Sequence, residues 1–271
     1  MTSGPTTALR EQAREWGRAL LDAPQWADVP DRVTLLIVSP AAGYDTAARS
    51  ITLWLTIDIP AARSLPREYA GIARDEVVIE RRPQAPGTLV AMSDDSLHRL
   101  LQGVSQTSVE ARWRVRHAEA VADRLHRLDD FNVRANMLAE DGLERIVRAL
   151  WLDLHAAVRA LDSVETHPQA ALPAAGEVAA AIARIAVVME EGAYPPADLL
   201  LLAAGETRIG KRLGVWLDDL RAAVAGDAAA ARRVLASRDQ ALAEVREVVG
   251  ERWRSRPWWR DPEAYALRAP R

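Results

Sequence analysis

Apolar residues recur along this chain with two different periods, and the change falls near residue 93. Residues 6–21 carry a helical spacing that Pro24 closes. The period then shortens. Val33-Thr-Leu-Leu-Ile-Val38 is a compact run rich in β-branched residues, the pattern of a buried strand. Ser39-Pro-Ala-Ala-Gly43 breaks it. Ile51-Thr-Leu-Trp-Leu-Thr-Ile57 alternates strictly and puts Ile51, Leu53, Leu55 and Ile57 on one face. Pro60 ends that run. A short helical stretch over 64–73 leads into Glu76-Val-Val-Ile-Glu80, a third strand, and Thr88-Leu-Val-Ala-Met92 gives a fourth.

Beyond Ser93 the spacing is helical to the end. Val109, Trp113, Val121, Leu125 and Leu128 form one stripe. Further stripes run through Ile146–Leu161, Val178–Met189, Ile209–Val224 and Leu235–Val249, each the signature of a helix burying one side. Breaks fall at Asp129-Asp130, His167-Pro168, Tyr194-Pro-Pro196 and Gly226-Asp227. The pattern predicts an α+β chain: a mixed sheet with helices over residues 1–93, then a helical bundle over 94–271.

Composition narrows the function classes. The chain has 271 residues, 49% hydrophobic and 27% charged, which is globular. Its formal charge of −3 does not favour a broad nucleic-acid surface. There are no cysteines, which excludes disulfides, thiolate metal sites and cysteine nucleophiles. No signal segment or bilayer-length apolar run is visible, so a cytoplasmic protein without membrane partners is expected.

The first two strands carry a resemblance. Val33–Val38, the Ser39-Pro-Ala-Ala-Gly43 turn and Ser50-Ile-Thr-Leu53 resemble the polymerase-β-like nucleotidyltransferase superfamily. That family has a strand, a G-S-x-A-R-G turn and then D-x-D on the next strand. A later strand adds a third acidic residue. The carboxylates hold two Mg²⁺ ions that clamp the attacking and departing oxygens. Here the turn keeps Ser39 and Gly43 but loses its first glycine and its arginine. Ser50 and Thr52 stand where the two aspartates belong. Glu80, or less well Glu76, matches the third carboxylate. Asp45 and Asp58 lie nearby, but neither has the i, i+2 relation that aims two ligands from one strand face. Downstream, Gly192-Ala-Tyr194-Pro-Pro-Ala-Asp-Leu-Leu200 is similar to the Tyr-x-Pro-x-x-Lys-Trp-Leu segment of one bacterial branch of these enzymes, without its lysine.

The substitutions change the chemistry the resemblance implies. Two hydroxyls for two carboxylates remove two negative charges from the metal cage, and one glutamate cannot balance two divalent cations. The expectation is a nucleotidyltransferase fold with a lost two-metal site and no cofactor, repurposed for metal-independent chemistry on a small molecule in specialised bacterial metabolism. Glu80, Ser50 and Thr52 are its candidate catalytic residues. Ser39, Gly43, Trp54, Arg82, Glu110, Arg114 and Tyr194 are candidates for binding a small molecule in an interdomain cleft. Along a strand Arg82 shares the face of Glu80 and is its natural partner. Two alternatives stay open: a non-catalytic pseudoenzyme binding a ligand or protein partner, and an active small-molecule nucleotidyltransferase whose metal ligands lie elsewhere.

Other residues carry less. None of His98, His117, His126, His155 and His167 pairs at i, i+4, so no helical metal motif forms. Trp253, Trp258 and Trp259 cluster with Arg252, Arg254, Arg256 and Arg260, a device for docking a tail through Arg–Trp stacking.

Overall fold

The computed structural model describes residues 5–26, 29–39, 50–81, 86–162, 171–262 and 264–265. The chain divides into two compact units, Met1–Leu138 and Ala139–Arg271. The first is a mixed sheet with helices and the second is helical.

In the first unit, α1 (Pro5–Leu21) precedes β1 (Val33–Ser39) and β2 (Ile51–Ile57). The short helices α2 (Ile59–Ala62) and α3 (Ala70–Ala73) lead to β3 (Val78–Glu80) and β4 (Gly87–Ser93). Then come α4 (Asp94–Gln102), α5 (Gln106–Arg116), β5 (Glu119–Asp123) and α6 (Arg127–Asn136). The sheet order is β3-β4-β2-β1-β5. Only β2 and β4 run parallel; the other neighbours are antiparallel. Gly87 opens that parallel pair against Ile51, where a Cβ would lie 2.2 Å from the Ile51 carbonyl oxygen. Only glycine permits so close an approach.

The alternation along β1 and β2 sorts their side chains onto two buried faces. Leu35, Ile37, Ile51, Leu53, Leu55, Leu89 and Ala91 pack with Ala13 of α1, Trp26, Tyr69 and Ile72. Leu36, Val38, Trp54 and Met92 pack on the other face, against Leu97 and Leu101 of α4, Val115 of α5 and Phe131 of α6. Each such apolar side chain contributes roughly 1.5–3 kcal/mol on burial. Covering the sheet on both sides is what lets β1 read as a continuous apolar run.

Three sequence expectations are corrected here. The stretch after Ser93 is not wholly helical, because Glu119–Asp123 pairs with β1 as an edge strand. Alanine-rich Glu119-Ala-Val-Ala-Asp123 has no strong strand signal of its own, and pairing with β1 supplies the preference. The sheet's own unit therefore extends to Leu138 and not to residue 93. Asp129-Asp130 is also no break; both aspartates sit in the first turn of α6, where negative charge favours a helix N-terminus.

The second unit contains α7 (Glu140–Asp162), α8 (Ala171–Glu191), α9 (Ala197–Glu206), α10 (Arg208–Arg212), α11 (Gly214–Val224), α12 (Ala228–Trp253) and α13 (Pro257–Arg260). The predicted apolar stripes supply its core, with Ile146, Trp151, Leu154, Ile182, Ile185 and Val245 buried. The tryptophan tail docks as its composition implies. Trp258 donates to Glu144 at 3.0 Å and Arg252 lies 5.2 Å over the Trp253 ring, whereas the Trp259 ring is covered by Arg246 of α12, outside the expected set. No helix among the described residues is long and apolar enough to cross a membrane.

Candidate functional site

The site is built where β1 ends and β2 begins. Ile37 pairs with Leu53, but Ser39 pairs with Thr52, so β1 carries one extra residue, a bulge at Val38. Bulges re-aim side chains beside functional sites. Here the bulge sets Ser39 against Thr52, and the Ser39 hydroxyl donates to the Ser50 carbonyl at 3.0 Å. Ser50 is exposed and Thr52 half-buried.

The parallel register adds a residue the sequence reading missed. Thr52 is the register partner of Thr88, and Trp54 of Val90. Register partners on adjacent strands project to the same side, so Thr52 and Thr88 stand next to each other on the α4–α6 side of the sheet. Both are half-buried, and among the described residues neither hydroxyl has a hydrogen-bond partner. Ile79 of β3 pairs with Val90 and is 60% exposed, so it extends this surface outward as an apolar margin. The result is a row of hydroxyls, Ser39, Thr52 and Thr88, beside an apolar edge. Thr88-Leu-Val-Ala-Met92 does alternate, yet only the register shows that Thr88 meets Thr52.

Glu80 stands elsewhere. It pairs with Leu89, and Leu89 and Val78 belong to the α1 side of the sheet. Its carboxylate accepts a 2.6 Å hydrogen bond from the hydroxyl of buried Tyr69, whose ring packs 4.8 Å from Trp26. Glu80 and Thr52 are therefore on opposite faces of one sheet, and the expected cluster of Glu80 with Ser50 and Thr52 does not form. Trp54 shares the face of Thr52, but it is only 7% exposed and packs beneath α4–α6. It floors the hydroxyl row and offers it no open aromatic surface.

Glu110 and Arg114 stand on α5, whose main sheet contacts are with β1; Glu110 accepts from Gln106 at 2.8 Å. Tyr194 is buried in the second unit, with the Arg184 guanidinium 5.7 Å from its ring centre. Gly43 and Arg82 lie outside the described residues, as do Asp45 and His167. Four histidines are described. His98, His117 and His155 pack against Phe131, Trp113 and Trp151. Burial, and then Arg134, hold His98 below its ordinary pKa. His126 precedes α6 in a left-handed conformation.

Among the described residues the donor set on this face does not suit a pair of Mg²⁺ ions. Hard divalent cations need anionic oxygens, and the residues facing one another here are neutral hydroxyls. Among the described residues no three His, Asp or Glu side chains come together as a metal-binding group. The fold's acidic clusters are committed elsewhere. Asp58 forms a bidentate pair with Arg32, Asp94 pairs with Arg127, and Asp75 accepts from Ser93 and Ser96.

No family model matches the chain, and no curated protein does. Among solved structures it is similar to a nucleotidyltransferase-like protein from Exiguobacterium sibiricum 255-15, with 14% sequence identity over 94% of this chain and 79% of that one, at a TM-score of 0.43.

Proposed function

We propose that the first unit is a nucleotidyltransferase-like module that has lost two-metal chemistry and binds a small, neutral, hydroxyl-rich molecule along Ser39, Thr52 and Thr88. One observation carries this reading: the strand positions that resemble the metal-ligating pair, Ser50 and Thr52, are hydroxyls, and Thr52 faces a third hydroxyl, Thr88, across the parallel register. Each hydroxyl offers one donor and two acceptor sites, a set suited to sugar-like or other polyol groups. The Val90–Ile79 margin suits the apolar face of such a ring. The catalytic alternative, with Glu80 as acid or base, needs Glu80 on the face of the hydroxyls. Its bond to Tyr69 supports the binding reading instead.

Calorimetric titration of the whole chain tests this. Nucleoside triphosphates with Mg²⁺ should show no saturable, Mg²⁺-dependent heat and no pyrophosphate release. A polyol panel should contain a binder whose affinity falls at least tenfold, about 1.4 kcal/mol, in Thr52→Val and Thr88→Val. Tight Mg²⁺-dependent nucleotide binding with pyrophosphate release would instead establish an active nucleotidyltransferase.

A further inference from the structure

The second unit contains a groove between α7 and α8 that the hydroxyl row does not involve. Its volume is ≈ 600 Å³, inside the ~300–1,000 Å³ range of small-molecule sites. Asp153, Ala156 and Ala157 line it from α7, at spacings that share one helix face. Glu177, Ala180 and Arg184 line it from α8 in the same way. Small residues keep the floor low. Gly176, within α8, borders the groove too, and a Cβ there would meet nothing within 4 Å. Glycine inside a helix is less stable than alanine, and among the described residues no packing contact explains it here.

Charges of opposite sign border this groove without pairing across it. Other opposite charges of the unit do pair, as Arg233 with Asp219 at 2.6 Å and Arg208 with Glu251 at 3.0 Å. Asp153, Glu177 and Arg184 form no hydrogen bond or ion pair among the described residues, although opposite signs face one groove. The Arg184 Nε is buried without an acceptor, and its guanidinium lies over the Tyr194 ring. Asp153 and Glu177 are exposed at the groove's rim, and partial desolvation moves the Asp153 carboxyl above its ordinary value, with Arg184 opposing. A buried donor left unsatisfied is costly, and an acceptor on a bound molecule would relieve it. Two carboxylates and one guanidinium thus border one groove without an ion pair among them.

We infer that the α7–α8 groove binds a zwitterionic small molecule of the amino-acid or short-peptide class, its carboxylate on Arg184, its ammonium on Asp153 and Glu177, and its apolar body along the alanines. Titration calorimetry of the full chain tests this with L-phenylalanine and L-leucyl-L-leucine. Phenethylamine and 3-phenylpropanoate serve as half-ligands. At least one zwitterion should saturate with a Kd at or below about 1 mM, and each half-ligand should bind at least tenfold more weakly. Preference for the longer zwitterion would assign the peptide, and the reverse the amino acid. Arg184→Gln should erase the advantage of phenylalanine over phenethylamine. Glu177→Gln, at an exposed position that folding tolerates, should erase much of its advantage over 3-phenylpropanoate. Ala180→Phe should block the groove without loss of helicity by circular dichroism. The inference is overturned if neither zwitterion saturates by about 10 mM, if phenethylamine binds as tightly as phenylalanine, or if the folded Glu177→Gln protein binds unchanged.

Discussion

Placing two carboxylates on the hydroxyl row is the sharpest test of how the sheet presents it. Thr52 and Thr88 are register partners on parallel strands, so aspartates there would sit ~5 Å apart, one strand spacing. Their repulsion is about 3 kcal/mol at an effective dielectric of ~20 and about 1 kcal/mol in bulk water. Both sites are half-buried, so a coupling between those limits is expected, enough to lower Tm by several degrees. The assay is a double-mutant cycle of Thr52→Asp and Thr88→Asp, followed by thermal unfolding near neutral pH with chelator. The double variant should melt below the sum of the singles, and the deficit should fade below about pH 4 as the carboxylates protonate. Mn²⁺ should restore the melting temperature, because it binds the folded pair alone. A parallel cycle of Thr52→Asp with Glu80→Gln should be additive within ~0.5 kcal/mol, since the sheet separates the two. An additive Thr52/Thr88 cycle indifferent to Mn²⁺ would refute the shared face and the hydroxyl row with it.

Gly87→Ala should destabilise the first unit by at least about 2 kcal/mol in urea unfolding, because its Cβ meets the Ile51 carbonyl oxygen and must part β2 from β4; wild-type stability would show that the two strands do not approach so closely. Asp94 should give an inverted pH slope. Burial raises its carboxyl above the ordinary 3.8, with Arg127 opposing. A folded state that holds the proton more tightly is favoured at low pH and loses that advantage as pH rises through the folded value. Wild type should therefore gain stability relative to Asp94→Asn as pH falls through this window, and a loss would mean that the Arg127 pair outweighs burial.

Much of the architecture was written in local pattern. The strict alternation of Ile51–Ile57 specified both faces of β2 before any partner was known, and the apolar run of Val33–Val38 marked a strand covered on both sides. The helical stripes from Ile146 onward carried the second unit, and Arg–Trp spacing foretold the docked tail. The alternation and the stripes repeat within a single element, so each window of sequence contains its own signal. What the sequence could not contain was register. Whether Glu80 shares the face of Thr52 depends on its alignment with Leu89 across β4, and a slip of one residue would move it through the sheet. Thr88 joins Thr52 only because β4 runs parallel to β2 with Gly87 against Ile51, a pairing between distant segments. Likewise Glu119–Asp123 becomes a strand only because β1 offers it an open edge. Tertiary pairing, which no local period encodes, decided which side chains meet and therefore what the site can do.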